Sequence, residues 1–170
     1  VLAGRAMRRS LPPPVLASVL SAVFERESMR AGRATEIFLL GTTQEYALAR
    51  QIMRLLPSAV SRQVRDMTGK TSLENLVELV AGFDLLLSPD TGVMHLAAHL
   101  GVPVEAFFLS SAWCFETGPY GKGHRIWQAM PVSSLDCIPC TETRDCPFET
   151  QCLAPFSTPE FLARLRGRED

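Results

Sequence analysis

This sequence predicts an α/β fold built on a parallel sheet, and three observations carry the expectation. Short apolar runs, TEIFLLG (35–41), DLLLS (84–88) and VEAFFL (104–109), are continuous rather than alternating, as strands covered on both faces are. Between them stand stretches whose apolar residues recur at helical spacing. With 46% hydrophobic and 21% charged residues in 170, the chain fits one soluble globular domain able to bury its own core.

Each element has its own signal. PPPVLASVLSAVFERESMR (12–30) puts Val15, Leu16, Val19, Leu20, Val23 and Phe24 on one stripe, with prolines at the entry where a missing N–H costs least. TEIFLLG reads as a strand closed by Gly41. QEYALARQIMRLLP (44–57) follows as a helix with Leu48, Ile52 and Leu55 at its period, stopped by Pro57. A weaker strand is expected around Ala59 to Val64. TSLENLVELVAG (71–82) sets Leu73, Leu76, Val77 and Val80 on one helical face before Gly82 ends it. DLLLS and VEAFFL are strands flanking SPDTG and a further helix. Ser110 to Pro155, rich in Gly, Pro and Cys, reads as loops and an irregular lobe. In STPEFLARL (157–165), Ser157 and Glu160 have capping-box spacing and Pro159 sits at an early helical position. Strands alternating with helices in this way imply right-handed crossovers and a Rossmann-like domain.

Charge excludes little and suggests less. The formal net charge of −1 and a pI near 6.4 point to neither nucleic acid nor an anionic membrane. Arg5, Arg8, Arg9, Arg26, Arg30 and Arg33 face only Glu25 and Glu27 in the first 33 residues, a local excess read as a solvated basic face. No segment reaches the apolar length of a bilayer span and no signal-peptide pattern opens the chain, so the cytosol is the expected compartment. VLAGRAMRRSLPPP has no initiator Met and reads as the middle of a longer polypeptide.

The segment LLLSPDTGVMHLAAHLGVPVEAFF carries the chemistry. In a parallel α/β sheet ligands bind at the carboxyl ends of strands, and the turn after LLLS is such a place. If Asp90 or Thr91 caps the helix, the N–H groups of Thr91, Gly92 and Val93 lie at the positive end of its dipole, which attracts an anion. Gly92 lets a phosphate approach the backbone without a Cβ in the way, and Thr91 adds a hydroxyl. His95, four residues beyond Thr91, shares its helix face and is within reach of a second phosphate or a sugar oxygen. The competing reading is an ordinary Asp90 N-cap with His95 bonded locally. Asp90→Ala is therefore expected to remove a cap, and Thr91→Val to act mainly on phosphate affinity.

These residues resemble the signature of the bacterial heptosyltransferases, lipopolysaccharide inner-core glycosyltransferases that use ADP-heptose: strand, Asp-Ser/Thr-Gly-x-x-His-x-x-Ala, Gly-x-Pro, strand. TGKTSLENLVELVAGFDLLLSPDTG is similar, without gaps, to the family's Ser-Leu helix and Asp-containing turn. LLGTTQEYALA resembles its strand, glycine turn and acidic helix start. RRSLPPPVLASVL, GPYGKGHRIWQ and the CIPC tail resemble further family segments, so the likeness covers nearly the whole chain. It implies the C-terminal, nucleotide-sugar-binding half of a two-domain GT-B glycosyltransferase, a single domain over residues 1–170, with the N-terminal acceptor domain absent from this chain. It also implies an ADP-sugar donor, a lipopolysaccharide core acceptor, no metal needed for transfer, and a cytoplasmic place of work with peripheral contact to the inner membrane left open.

Position by position, the resemblance puts Asp90, Thr91 and Gly92 on the diphosphate turn with His95 in the same motif. Arg9 falls where the family places a basic residue, usually Lys; the change keeps the charge but replaces a point charge by a planar fork. Glu45 falls on the acidic residue near the ribose hydroxyls and Thr71 beside the adenine, with Lys70 only its neighbour. A capping or surface role competes for Glu45 and Thr71. The family's general base is an Asp in the N-terminal domain, and nothing in this chain is assigned that job.

Cys137, Cys140, Cys146 and Cys152 read C-x2-C-x5-C-x5-C, with Cys114 apart. Four such thiolates suit a tetrahedral zinc site or an iron–sulfur cluster; two disulfides or unligated thiols packing an irregular lobe are the alternatives. Two function classes stand at this point: the donor-binding part of a glycosyltransferase, or a non-catalytic module that binds nucleotide sugars or works through its cysteines.

Overall fold

The computed structural model describes residues 1–2, 10–32, 34–109, 112–130, 140, 146 and 149–167. In chain order the elements are α1 (Pro13–Ala31), β1 (Ile37–Leu39), a 3₁₀ turn (Thr43–Glu45), α2 (Tyr46–Leu55), α3 (Ser58–Ser61), β2 (Val64–Asp66), α4 (Leu73–Ala81), β3 (Leu86–Pro89), α5 (Gly92–His99), β4 (Val104–Phe108), α6 (Cys114–Thr117), β5 (Arg125–Gln128), a second 3₁₀ segment (Gln151–Ser157) and α7 (Pro159–Leu165). The chain divides into two compact units, one of residues 1–10 and 70–152, the other of residues 11–69 and 153–170. The expected α/β character and parallel pairing are present. The strands form two parallel sheets, β1-β2 in one unit and β3-β4-β5 in the other.

In the unit of residues 11–69 and 153–170, α1 starts with proline at its first positions and ends at Gly32, whose φ of +59 is the left-handed conformation glycine adopts without strain. It is buried more broadly than one stripe: Leu16, Val19, Leu20 and Val23 are joined inside by Ala17, Ser21, Ala22 and Arg26. The expected strand at 59–64 is displaced. Pro57 opens a helical turn over Ser58–Ser61 instead, and pairing with β1 begins at Val64, which lies opposite Ile37. On α2, Ala49 and Ile52 are buried but Leu55 is 46% exposed, because the helix face turns away one residue before the buried Leu56. The cap of α7 is Thr158 rather than Ser157: its side chain accepts from the Phe161 N–H at 3.2 Å, while Ser157 donates to the Ala154 carbonyl.

The unit of residues 1–10 and 70–152 holds β4 at the centre of its sheet, buried at every residue from Val104 to Phe108. One of these is Glu105, fully buried, whose Oε1 accepts from the Trp127 indole N–H at 2.9 Å. That bond crosses to β5, which lies inside the stretch read from sequence as loops. Four residues with no long apolar run, RIWQ, make a strand because β4 offers them an edge, Ala106 opposite Ile126 and Phe107 opposite Trp127. On α4, Val80 is buried as expected, but Leu73 is 72% exposed at the first turn.

Candidate functional site

The turn after β3 is organised by two hydroxyls. The buried Ser88 hydroxyl donates to the Pro89 carbonyl at 2.8 Å and lies 2.9 Å from Thr91 Oγ1. Thr91 has an extended backbone, φ −148 and ψ 162, and its side chain accepts from the Met94 N–H at 3.4 Å, so Thr91 is the N-cap of α5. This corrects the expectation that loss of Asp90 would remove the cap. Asp90, one residue earlier, sends its carboxylate sideways: Oδ2 accepts from the Thr117 hydroxyl at 3.3 Å, and Oδ1 lies 3.9 Å from His95 Nε2. Asp90, Thr91 and His95 are thus brought together around the first turn of α5.

Gly92 is the first residue of that helix and is exposed. Among the described residues a Cβ placed on it would meet nothing within 4 Å, and its φ is not in the left-handed region. Neither packing among the described residues nor backbone conformation therefore requires glycine here. The N–H groups of Gly92 and Val93 are among the first of the helix and have no intrahelical carbonyl to reach, so they face outward with the positive end of the dipole. Chemically, the turn offers backbone donors, a threonine hydroxyl and an imidazole to an anion.

Sequence reasoning missed Thr117 and the frame that holds it. The Gln128 side chain at the end of β5 accepts from the Cys114 N–H at 2.9 Å and donates to the Phe108 carbonyl at 3.3 Å and the Ala112 carbonyl at 3.4 Å. One amide thereby ties the start of α6 to the end of β4 and brings Thr117 to Asp90. The only signal in the sequence was a Thr beside Gly-Pro, which is too common to single out.

Glu45 belongs to the other unit. It closes a capping box: Thr42 donates to Glu45 Oε2 from its N–H at 2.6 Å and from its hydroxyl at 2.7 Å, while its own oxygen accepts from the Gln44 N–H at 3.2 Å. Gly41 permits this close approach, since a Cβ there would stand 2.9 Å from that of Glu45. Thr71 is half-buried and immediately precedes Ser72, which caps α4 by accepting from the Asn75 N–H at 3.2 Å. Arg9 and Cys137 lie outside the described residues. Cys140, Cys146 and Cys152 are each half-buried, and Cys146 Sγ accepts from the Thr150 N–H at 3.4 Å. Among the described residues no group of three or more His, Cys, Asp or Glu side chains is placed to hold a metal ion.

No helix among the described residues is long and apolar enough to cross a membrane. Comparison with known proteins gives a consistent set of relatives. The chain is 30% identical over 91 residues to lipopolysaccharide heptosyltransferase 2 of Salmonella typhimurium, a match covering 54% of this chain and 26% of that protein. It is 24% identical over 130 residues to lipooligosaccharide heptosyltransferase 2 of Campylobacter jejuni, covering 76% of this chain and 39% of that one. Its fold is similar to that of a glycosyltransferase family 9 protein from Veillonella parvula, with a TM-score of 0.67 at 16% identity over 99% of this chain and 45% of the other. It is also similar in fold to the E. coli ADP-heptose lipopolysaccharide heptosyltransferase II, with a TM-score of 0.61 at 21% identity, covering 74% and 35%. The chain spans less than half the length of each of these proteins. The model of glycosyltransferase family 9 (heptosyltransferase) matches residues 26–146, more than half of the chain and including the whole Asp90–His95 turn, and the chain belongs to that family.

Proposed function

We propose that this chain is the donor-binding part of a GT-B glycosyltransferase that transfers heptose from ADP-heptose to the inner core of lipopolysaccharide. The observation that carries the reading is the Thr91-capped start of α5, at the carboxyl end of a parallel strand, with Gly92 open to solvent although nothing among the described residues requires glycine there. The donor diphosphate accepts from the N–H groups of Gly92 and Val93 and from the Thr91 hydroxyl once its proton turns from Ser88, and His95 reaches its second phosphate. In inverting transfer an acceptor hydroxyl attacks the anomeric carbon as the bond to the β-phosphate oxygen breaks. Negative charge grows on the departing ADP, where preoriented donors and the helix dipole stabilise it most. The acceptor's proton goes to a base that none of these residues supplies. The family resemblance adds Arg9 toward the phosphates, Glu45 for ribose hydroxyls and Thr71 beside adenine. No metal takes part, and the work is cytoplasmic.

Binding without transfer is the expected behaviour of the 170 residues alone. Calorimetric titration with ADP and ADP-heptose tests the first half, with saturable binding expected for both. A turnover assay tests the second. Absence of any ADP binding would sink the reading in favour of a module that works through other residues, and measurable transfer would show that a base had been overlooked.

A further inference from the structure

A stacked aromatic pair stands beside the diphosphate turn. Trp113 and Phe115 have ring centroids 5.8 Å apart at an interplanar angle of 16°. Phe115 is 78% exposed, among the most exposed large apolar side chains of the chain, while Trp113 beneath it is half-buried. Such exposure is unfavourable unless something covers the ring. The pair is also held firmly. Cys114, between the two aromatics, has its N–H bonded to Gln128, and Thr117, two residues after Phe115, donates to Asp90 Oδ2. The same short helix therefore joins an open aromatic face to the residue that precedes the capped turn.

We propose that Trp113 and Phe115 form a platform for the pyranose ring of the bound sugar nucleotide, an inference that rests on the Thr91–Gly92 turn holding its diphosphate. The sugar is joined directly to the distal phosphate, so its ring lies next to the turn. The negative face of an aromatic ring attracts the polarised C–H bonds on the apolar face of a pyranose. Alongside stand a carboxylate, Asp90, a hydroxyl, Thr117, and the exposed Glu116, groups that suit sugar hydroxyls. A nucleobase also stacks on aromatics, but it reads its neighbours through ring-edge donors and acceptors, and this acceptor-rich set suits it less well.

Phe115→Ala tests the platform, because the side chain is exposed and its loss leaves the fold in place, checked by an unchanged Tm. Titrated with ADP and ADP-heptose, the variant is expected to bind ADP as the unaltered chain does and ADP-heptose about fivefold more weakly, with Phe115→Trp restoring affinity. Equal weakening of both ligands would assign the pair to the base, and no change in either would mean that the pair binds nothing; each outcome overturns the proposal. A second measurement separates this from failure of the diphosphate reading. Magnetisation transfer from the protein to the ring C–H protons of methyl α-mannopyranoside is expected in the unaltered chain and lost in Phe115→Ala, whether or not ADP binds. Its absence from the unaltered chain would overturn the platform while leaving ADP binding untouched.

Discussion

Gly92 and the two residues before it separate binding from stability. A methyl group at Gly92 meets open space and an allowed φ, and alanine is the better helix former, so Gly92→Ala is expected to leave Tm unchanged or raise stability by up to about 1 kcal/mol. The same methyl stands where a phosphate oxygen would approach, so ADP affinity is expected to fall. Differential scanning fluorimetry beside calorimetry checks both, and a variant that binds ADP normally would remove the phosphate from this turn. Thr91→Ala takes away the N-cap and the Ser88 contact and is expected to cost about 1 kcal/mol in urea denaturation. Asp90→Ala, which among the described residues loses the contacts to Thr117 and His95, is expected to cost less. If Asp90→Ala proves the more destabilising of the two, the capping assignment is wrong. The sequence showed that a cap stands at Asp90-Thr91; which residue does the capping depended on the backbone turn, since both side chains are short oxygen acceptors.

At the scale of elements, how much the sequence shows depends on how near in the chain the partners of each element lie. The longer helices were readable because their apolar period is local, whereas the single turns at Ser58–Ser61 and Cys114–Thr117 have none. β5 was not, since RIWQ gains its hydrogen bonds and the Trp127–Glu105 contact only from β4, about 20 residues earlier.

The molecule as a whole contains links that no local pattern announces. Arg26, counted in the sequence with a solvated basic face, is buried; its Nη1 donates to the Leu165 carbonyl at 2.8 Å and its Nε pairs with Glu27 at 2.7 Å. It joins α1 to the end of α7 across 139 residues of chain. Arg26→Met keeps much of the volume but takes the donor from the Leu165 carbonyl and leaves Glu27 to its pairing with Arg30 at 3.6 Å, and is expected to cost about 2 kcal/mol in urea denaturation. An unchanged midpoint would show that the link is incidental. By itself the sequence determined the α/β class, most of the helices, the strand–turn–helix at Ser88–Gly92 and, through its motif, the glycosyltransferase family, because each of these rests on residues close together in the chain. Only the tertiary structure decided that the strands pair in two sheets, that Asp90 bonds Thr117 rather than capping α5, and that Phe115 stands exposed on a helix tied down by Gln128. The physical reason is that burial, cross-strand pairing and hydrogen bonds between distant residues depend on which surfaces meet, and that is settled when the chain packs.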